Sequence, residues 1–388
     1  MFIWFIFLCL LIVTIRTNTF GMRNSMIHIL SKLQGHQVSI YRNNSTMCKY
    51  ILTFNTKGDY LEKHFACPMW FPIYSVESVD GEQWKRMHKW TNEILKMSRW
   101  KHHLEDADIE LQDDLICTSD TIAKNVIRMM WYLLFHRPIS QTYLSLLWNA
   151  GKIWRKRIAQ KGGNSQNDIE YLNRCVTDIN EWIKTTPYEQ LYHNHYNRTE
   201  FISCFIQPFL ISPQINICDI FAEMYPHIQP LFESSSSPYK DYYIYETIRL
   251  YHPFPLLERF DESKNIQYFI EMDNFKHKEK EFNPLNWENP FFRKENQWFL
   301  FGLGKRGCIG KHIAMNVMTI LLTNIIKTKS LIEYKPQDFH EVSGRRNDTS
   351  FNIYHLSFLL YRITNVLFKV LKNSIYRFFS PKNEFYIN

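Results

Sequence analysis

The stretch Phe301-Gly302-Leu303-Gly304-Lys305-Arg306-Gly307-Cys308-Ile309-Gly310 puts one thiol in a glycine-rich loop directly before an apolar helix expected from Lys311 to about Thr328. Gly302, Gly304, Gly307 and Gly310 are four of only 12 glycines in the chain. Clustered there, they let the backbone turn tightly and lie against a flat partner such as a cofactor. A cysteine at a helix N-terminus, with Lys305, Arg306 and Lys311 nearby, is expected to lean toward the thiolate, and N–H groups of the loop can donate to its sulfur. A thiolate so placed suits a single axial bond to iron. The plainer reading of the same residues is a glycine-rich turn before a core helix, with a buried thiol of no chemical role.

Two further spacings could serve such a site. Glu246 and Arg249 stand at i and i+3, so on a helix they share a face and can form a planar, doubly hydrogen-bonded pair. As an ordinary surface ion pair they would contribute about 0 to 1 kcal/mol. Trp84 and His88, at i and i+4 in a helix expected to open at Gly81, also share a face, and such a pair is more often packing than ligation.

The pattern Phe-Gly-x-Gly-x-Arg-x-Cys-x-Gly at 301–310 resembles the haem-binding loop of the cytochrome P450 family, and Ala314 falls where that family carries a small residue. The resemblance extends to Glu246-Thr247-Ile248-Arg249 with its Pro253-Phe254-Pro255 exit and Arg259, and to Phe282-Asn283-Pro284-Leu285-Asn286-Trp287 between them. It implies haem b (iron protoporphyrin IX) with Cys308 as the proximal thiolate, whose electron donation favours O–O cleavage. It also implies that Phe301 and Gly310 belong to the cofactor loop, that Arg306 and Arg259 meet the haem propionates, and that Glu246 and Arg249 form a buried pair. Trp84 and His88 fall where the family places Trp-x-x-x-Arg toward the propionates. His88 replaces that arginine, and a histidine holds a carboxylate less firmly as pH rises past about 6.5. Asn286 stands where the family carries the arginine that completes a network with the pair, so a weaker network is expected, with Arg293 a candidate substitute.

The 388 residues are 45% apolar and 16% aromatic, ample for a sizeable core in one large domain or two. The net charge of +8 is spread along the chain. That pattern argues against a nucleic-acid arm and fits a protein near an anionic membrane face or receiving an acidic partner. The eight cysteines form no CxxC or metal-type cluster, and seven read as ordinary thiols of a reducing compartment.

Met1 to Ile15 is apolar apart from Thr14, with Arg16, Arg23 and Lys32 following and no charge before. A secretory signal would carry its positive region first and a small-residue cleavage site after, so an N-terminal membrane anchor is favoured, short against a span of about 20. The positive flank places the body of the protein in the cytoplasm. With the resemblance, this implies the cytoplasmic face of the endoplasmic reticulum. The sequons at Asn43, Asn44, Asn197 and Asn347 would then stay unmodified.

Gln37–Tyr41 and Tyr50–Phe54 read as a hairpin, followed by a helix from about Thr56 to Phe65. Asp120 to Phe135 reads as a buried core helix. Two amphipathic segments between Gln141 and about Pro187 flank a loop at Gly162-Gly163-Asn164-Ser165. Family members devote more chain to this roof of the substrate cavity. Leu191 to Ile211 fills the slot of the family's long central helix, and Ser212-Pro213 resembles the start of the next one.

The family's small residue, Gly, acid and Thr are missing from that slot; His193-Asn194-His195-Tyr196-Asn197-Arg198-Thr199-Glu200 stands there instead. Thr199 and Glu200 are the candidates to take over as an acid–alcohol proton relay in a shifted register, and Pro208 could supply a kink. A core helix with a polar start explains the segment equally well. Strands are expected at Ser350–Tyr354 and Leu356–Tyr361, then a basic, aromatic extension.

The expected architecture is mainly α with small β-sheets (α+β), the cytochrome P450 fold that the resemblance implies. Its parts are an anchor at 1–16, a linker at 17–36, a catalytic domain at 37–363 and an extension at 364–388. The implied function is monooxygenation of a lipophilic small molecule such as a sterol or fatty compound, using O2 and electrons from a flavin-containing reductase at a membrane, with no nucleic acid involved. The altered central segment leaves open a haem-thiolate isomerase or dehydratase that does not activate O2, and a degenerate, non-catalytic haem-binding relative.

Overall fold

The structure, a computed structural model, describes residues 36–41, 45–57, 67–109, 119–158, 162–193, 196–233, 239–253, 256–271 and 281–328. The chain divides into 1–346 and 347–388, and every described residue belongs to the first part. The expected anchor, nearly all of the linker, the late strands and the C-terminal extension lie outside the described residues.

Helices dominate, and their apolar spacing explains why. The first long helices are α1 (Ser45–Phe54), α2 (Gly81–Ser98) and α3 (Ser119–Phe135). In α3, Ile122, Val126, Ile127, Met130, Trp131 and Leu134 are all buried, as their helical spacing requires. Two more, α4 (Gln141–Ile158) and α5 (Gln166–Lys184), flank the expected glycine loop. Ser165 ends that loop with a reciprocal box: its Oγ accepts from the Asp168 N–H, and the Asp168 carboxylate accepts from the Ser165 N–H.

The central segment departs from expectation at both ends. It starts at Arg198 rather than Leu191, where the Asn197 side chain accepts from the N–H groups of Thr199 and Glu200. It then runs unbroken as α6 (Arg198–Phe205), a π-turn over Ile206–Ile211 and α7 (Ser212–Met224). Ser212-Pro213 therefore continues the same helix instead of opening a separate one. Pro208 has no N–H to give an α-helical bond, and the widened turn accommodates it without breaking the rod. Among the described residues, Arg198–His227 is the one helix long and apolar enough to cross a membrane, but 83% of its apolar window is buried, so it serves as the core rod. It packs on α2 through α6 and on α3 through α7.

Next come α8 (Lys240–Leu250), strands β1 (Gln37–Tyr41), β2 (Leu256–Asp261) and β3 (Ile266–Glu271), then α9 (Pro290–Phe301) and α10 (Lys311–Thr328). The strands form one sheet in the order β1-β3-β2, β1 parallel to β3 and β2 antiparallel to it. The expected hairpin of Gln37–Tyr41 with Tyr50–Phe54 does not form. Its first half pairs with β3, and its second half is the end of α1, whose Cys48, Ile51 and Leu52 recur at helical spacing and bury against Tyr268, Ile270 and Trp298. Thr56, expected to open a helix, instead bridges to Phe260, and most of that helix lies outside the described residues.

Candidate functional site

The thiol loop joins α9 to α10, and its shape follows from its glycines. The Gly302 N–H closes α9 on the Trp298 carbonyl, the Gly307 N–H turns back to Gly304, and the Cys308 N–H reaches the Phe301 carbonyl at 2.8 Å. Gly304 sits at φ +68°, and a Cβ there would lie 2.8 Å from the Thr53 Cα, so only glycine lets this loop press against the end of α1. Past the loop, α10 buries Ile313, Val317, Leu321 and Ile325.

Of the cysteines whose surroundings are described, Cys48, Cys175, Cys204 and Cys218 are buried and Cys308 is in contact with solvent. Burial nevertheless pushes the Cys308 thiol up to about 11, with the Glu77 charge adding to the rise and the Gly310 N–H and Lys311 opposing it. The expected lean toward thiolate is thus overturned for the protein alone. Lys305 is exposed, Arg306 is engaged elsewhere, and desolvation outweighs the remaining helpers. Binding a metal would ionise the thiol outright.

Behind the loop, Glu246 and Arg249 of α8 form the expected pair, at 2.8 and 2.7 Å through two parallel bonds, and both are buried. The same carboxylate also accepts from the Asn283 N–H at 3.1 Å and the Trp287 Nε1–H at 2.9 Å. The pair thus gains its extra donors from the Asn283 backbone and the Trp287 indole. Asn286 is half-buried in the short turn Pro284–Glu288, and Arg293 donates to the Glu288 carbonyl rather than to Glu246.

On α2, the Trp84 and His88 rings pack at a tilt of 37° with centroids 4.7 Å apart, and the Arg306 guanidinium lies over the Trp84 ring at 4.3 Å. The thiol loop and α2, distant in sequence, thus converge. Arg306 Nη2 donates to the Val79 carbonyl at 2.8 Å and pairs with the Asp80 carboxylate. Burial, then the Arg306 charge, hold the His88 pKa below its ordinary value of 6.5, so its positive charge is lost earlier on raising pH than the sequence alone suggests. Arg259 is buried in β2, where its Nη1 donates to the Glu258 carbonyl.

Thr199 and Glu200 are not brought together. They are neighbours in the first turn of α6, so their side chains diverge by about 100°. Buried Glu200 accepts from Arg86 Nε and Nη2 at 2.9 and 2.6 Å, and from Gln83 Nε2 at 3.0 Å. Both of its oxygens are thereby held by α2, and the acid works as a clamp between two helices.

Sequence reasoning missed a second set of contacts. The segment Tyr74–Asp80 is pinned to the central rod, the Tyr74 N–H on Ser203 Oγ at 3.0 Å and the Val76 N–H on Gln207 Oε1 at 3.2 Å. Gln207 also donates to Ser212 Oγ at 2.9 Å and so spans the π-turn. The available signal was a glutamine next to a proline inside an otherwise apolar helix, a polar group that needs internal partners.

Among the described residues, no group of three or more His, Cys, Asp or Glu side chains could hold a metal. The donor set instead fits a metal that brings its own macrocycle: one soft thiol in a glycine-rich loop, with the guanidinium of Arg306 from the same loop over the indole of Trp84, and the imidazole of His88 beside it on α2, for peripheral carboxylates.

The family model described as Cytochrome P450 matches residues 273–345. A search of curated proteins finds no match. Similar solved structures include CYP175A1 of Thermus thermophilus, 15% identical with a TM-score of 0.56, over 75% of this chain and 81% of that one. A six-coordinated cytochrome P450 from another strain of the same species is 15% identical with a TM-score of 0.57, over 78% and 90%. A zebrafish cytochrome P450 solved with progesterone is 12% identical with a TM-score of 0.54, over 78% and 92%. At such identities the likeness concerns the fold.

Proposed function

From the Cytochrome P450 model match at 273–345 and the fold shared with solved cytochromes P450, we propose that this chain is a divergent, shortened member of that family and a haem-thiolate monooxygenase acting on a lipophilic small molecule such as a sterol or fatty compound. The carrying observation is Cys308: of the cysteines whose surroundings are described it is the one open to solvent, it stands in the glycine loop directly before α10, and the Gly310 N–H points at its sulfur. Cys308 would be the proximal ligand of haem b, Phe301 and Gly310 would shape the loop beneath it, and Arg306, Trp84 and His88 would receive propionates, with Arg259 as a second arginine. When bound, the haem supplies oxygen activation and electron storage.

The chain's own residues supply holding and exclusion. Glu246, Arg249, Asn283 and Trp287 fix the scaffold behind the loop, and the central rod, pinned by Ser203 and Gln207, faces it. Electrons would come from a flavin-containing reductase at the endoplasmic reticulum, to which 1–16 would anchor the chain. The test is oxygen incorporation: with reductase, NADPH and labelled O2, a lipophilic substrate should gain one labelled oxygen atom. NADPH consumption with no labelled product across sterol and fatty substrates counts against it.

One observation favours a second reading. The Glu200 carboxylate is committed to Arg86 and Gln83, so Thr199 and Glu200 form no acid–alcohol relay, and a haem-thiolate isomerase or dehydratase has no need of one. Turnover of a peroxide or endoperoxide without reductase would select that reading.

A further inference from the structure

Away from the thiol loop, α3 and α4 bring two cations to one aromatic ring. The Lys152 Nζ stands 3.3 Å from the ring centroid of Trp148, one turn back on α4, and the Lys124 Nζ of α3 stands 4.2 Å from the same centroid. Trp148, Lys152 and Lys156 recur at i, i+4 and i+8, so one face of α4 carries all three. Among the described residues, none of these three lysines forms an ion pair, whereas Lys85, Lys96 and Lys184 each hold a glutamate three residues back. Arg155 of the same helix is already paired with Asp219 of the rod.

An indole face attracts one ammonium group, but a second at the same ring repels the first. Here the two nitrogens can be no further apart than their two distances to the centroid together. The crowding is felt: burial first, and also the charges of Lys124 and Lys156, hold the Lys152 pKa below its ordinary value, with Asp120 opposing them. The helices cannot part to relieve it. Gln214 of α7 donates to the Leu147 carbonyl at 3.2 Å, the Trp154 Nε1–H donates to the Trp70 carbonyl at 3.0 Å, and α3 packs on both α4 and α7. The surplus of positive charge is thus presented on a fixed platform, which lowers the ordering cost of binding an anion there.

We propose that Lys124, Lys152 and Lys156, gathered around Trp148, form a binding site for a polyphosphorylated anion, free in solution or carried as a lipid headgroup. Neighbouring phosphates put several negative charges within a few ångströms, and such a group can meet ammonium groups spread around the edge of a ring. A lone carboxylate would satisfy one of them. Lysine serves phosphate as a point charge and needs no paired, planar geometry. None of these residues belongs to the thiol site, so the inference stands apart from the haem reading.

The experiment is isothermal titration of tripolyphosphate into the full-length protein held in neutral phosphatidylcholine nanodiscs. It is run at physiological ionic strength, where well-separated surface charges are screened from one another. The native protein should give a saturable, single-site isotherm. Lys124→Gln and Lys152→Gln should each weaken binding by about tenfold, the loss of one charge-assisted hydrogen bond. Lys152→Arg should retain most of the affinity. Lys101→Gln removes a lysine that lies alone over the Trp100 ring at 5.7 Å, and it should leave binding unchanged. Absence of binding by the native protein overturns the proposal, as does affinity unchanged in both Lys124→Gln and Lys152→Gln, or a loss as large in Lys101→Gln. Repeating the titration in nanodiscs that contain phosphatidylinositol bisphosphate separates the two sources. If native binding of tripolyphosphate is lost there, the headgroup occupies the site; if it persists, the ligand is a soluble anion. Both results uphold the site.

Discussion

The thiol loop and the first turns of the central rod are both built on short, polar, chemically suggestive stretches, yet they use them differently. In the loop, function depends on the backbone: Gly304 must adopt φ +68° against Thr53, and Cys308 must emerge just before α10. In the rod, what looked like a reactive acid beside an alcohol is tied into packing, because Arg86 and Gln83 on another helix claim Glu200. Backbone demands leave glycines and prolines at fixed spacing. Which side chain a carboxylate finds across a helix interface leaves no local trace.

The largest expected effect lies behind the loop. Glu246→Ala strands the buried Arg249 guanidinium and removes the acceptor of Trp287 Nε1–H and Asn283 N–H, so unfolding free energy in urea should fall by about 3–5 kcal/mol. Next, Gly304→Ala forces a Cβ into the backbone of α1 at a positive φ, for a loss of about 1–3 kcal/mol and weakened haem retention in the same titration.

Glu200→Gln tests the other side of the contrast. It should cost about 1–2 kcal/mol, since half-exposed Arg86 can turn to water, and leave the haem spectrum in place. A Glu200→Gln protein of unchanged stability but with oxygen consumption uncoupled from product would show instead that Glu200 serves the chemistry.

The smallest effect is electrostatic. Burial and Arg306 hold His88 below 6.5, so the unfolded chain takes up this proton first. Its contribution is complete above pH 6.5 and is lost as pH falls from there through the lower folded value. The decline in melting temperature between pH 7 and pH 5 should be shallower in His88→Gln than in the native protein.

These contrasts also mark what could be read from the sequence. The mainly helical architecture, α3 as a core helix, the Glu246–Arg249 pair and the loop before α10 were all legible, because each rests on a spacing within one segment. Tyr50–Phe54 was misread as a strand because its aromatic and branched residues suit either state. Only the partners Tyr268 and Trp298 decide for the helix that buries Cys48, Ile51 and Leu52. The donation of Trp287 Nε1–H to Glu246 could not be foreseen, since an indole signals packing before it signals a donor. The convergence of Arg306 on Trp84 crosses more than two hundred residues of chain and was available only through the resemblance.

The most direct measurement is the absorption spectrum of the reduced protein under carbon monoxide, native beside Cys308→Ser. A strongly red-shifted Soret band in the native protein, absent from a Cys308→Ser protein that still folds, is the predicted result. A band that survives Cys308→Ser, or its absence from folded native protein supplied with haem, would contradict the assignment of Cys308 as the thiolate ligand.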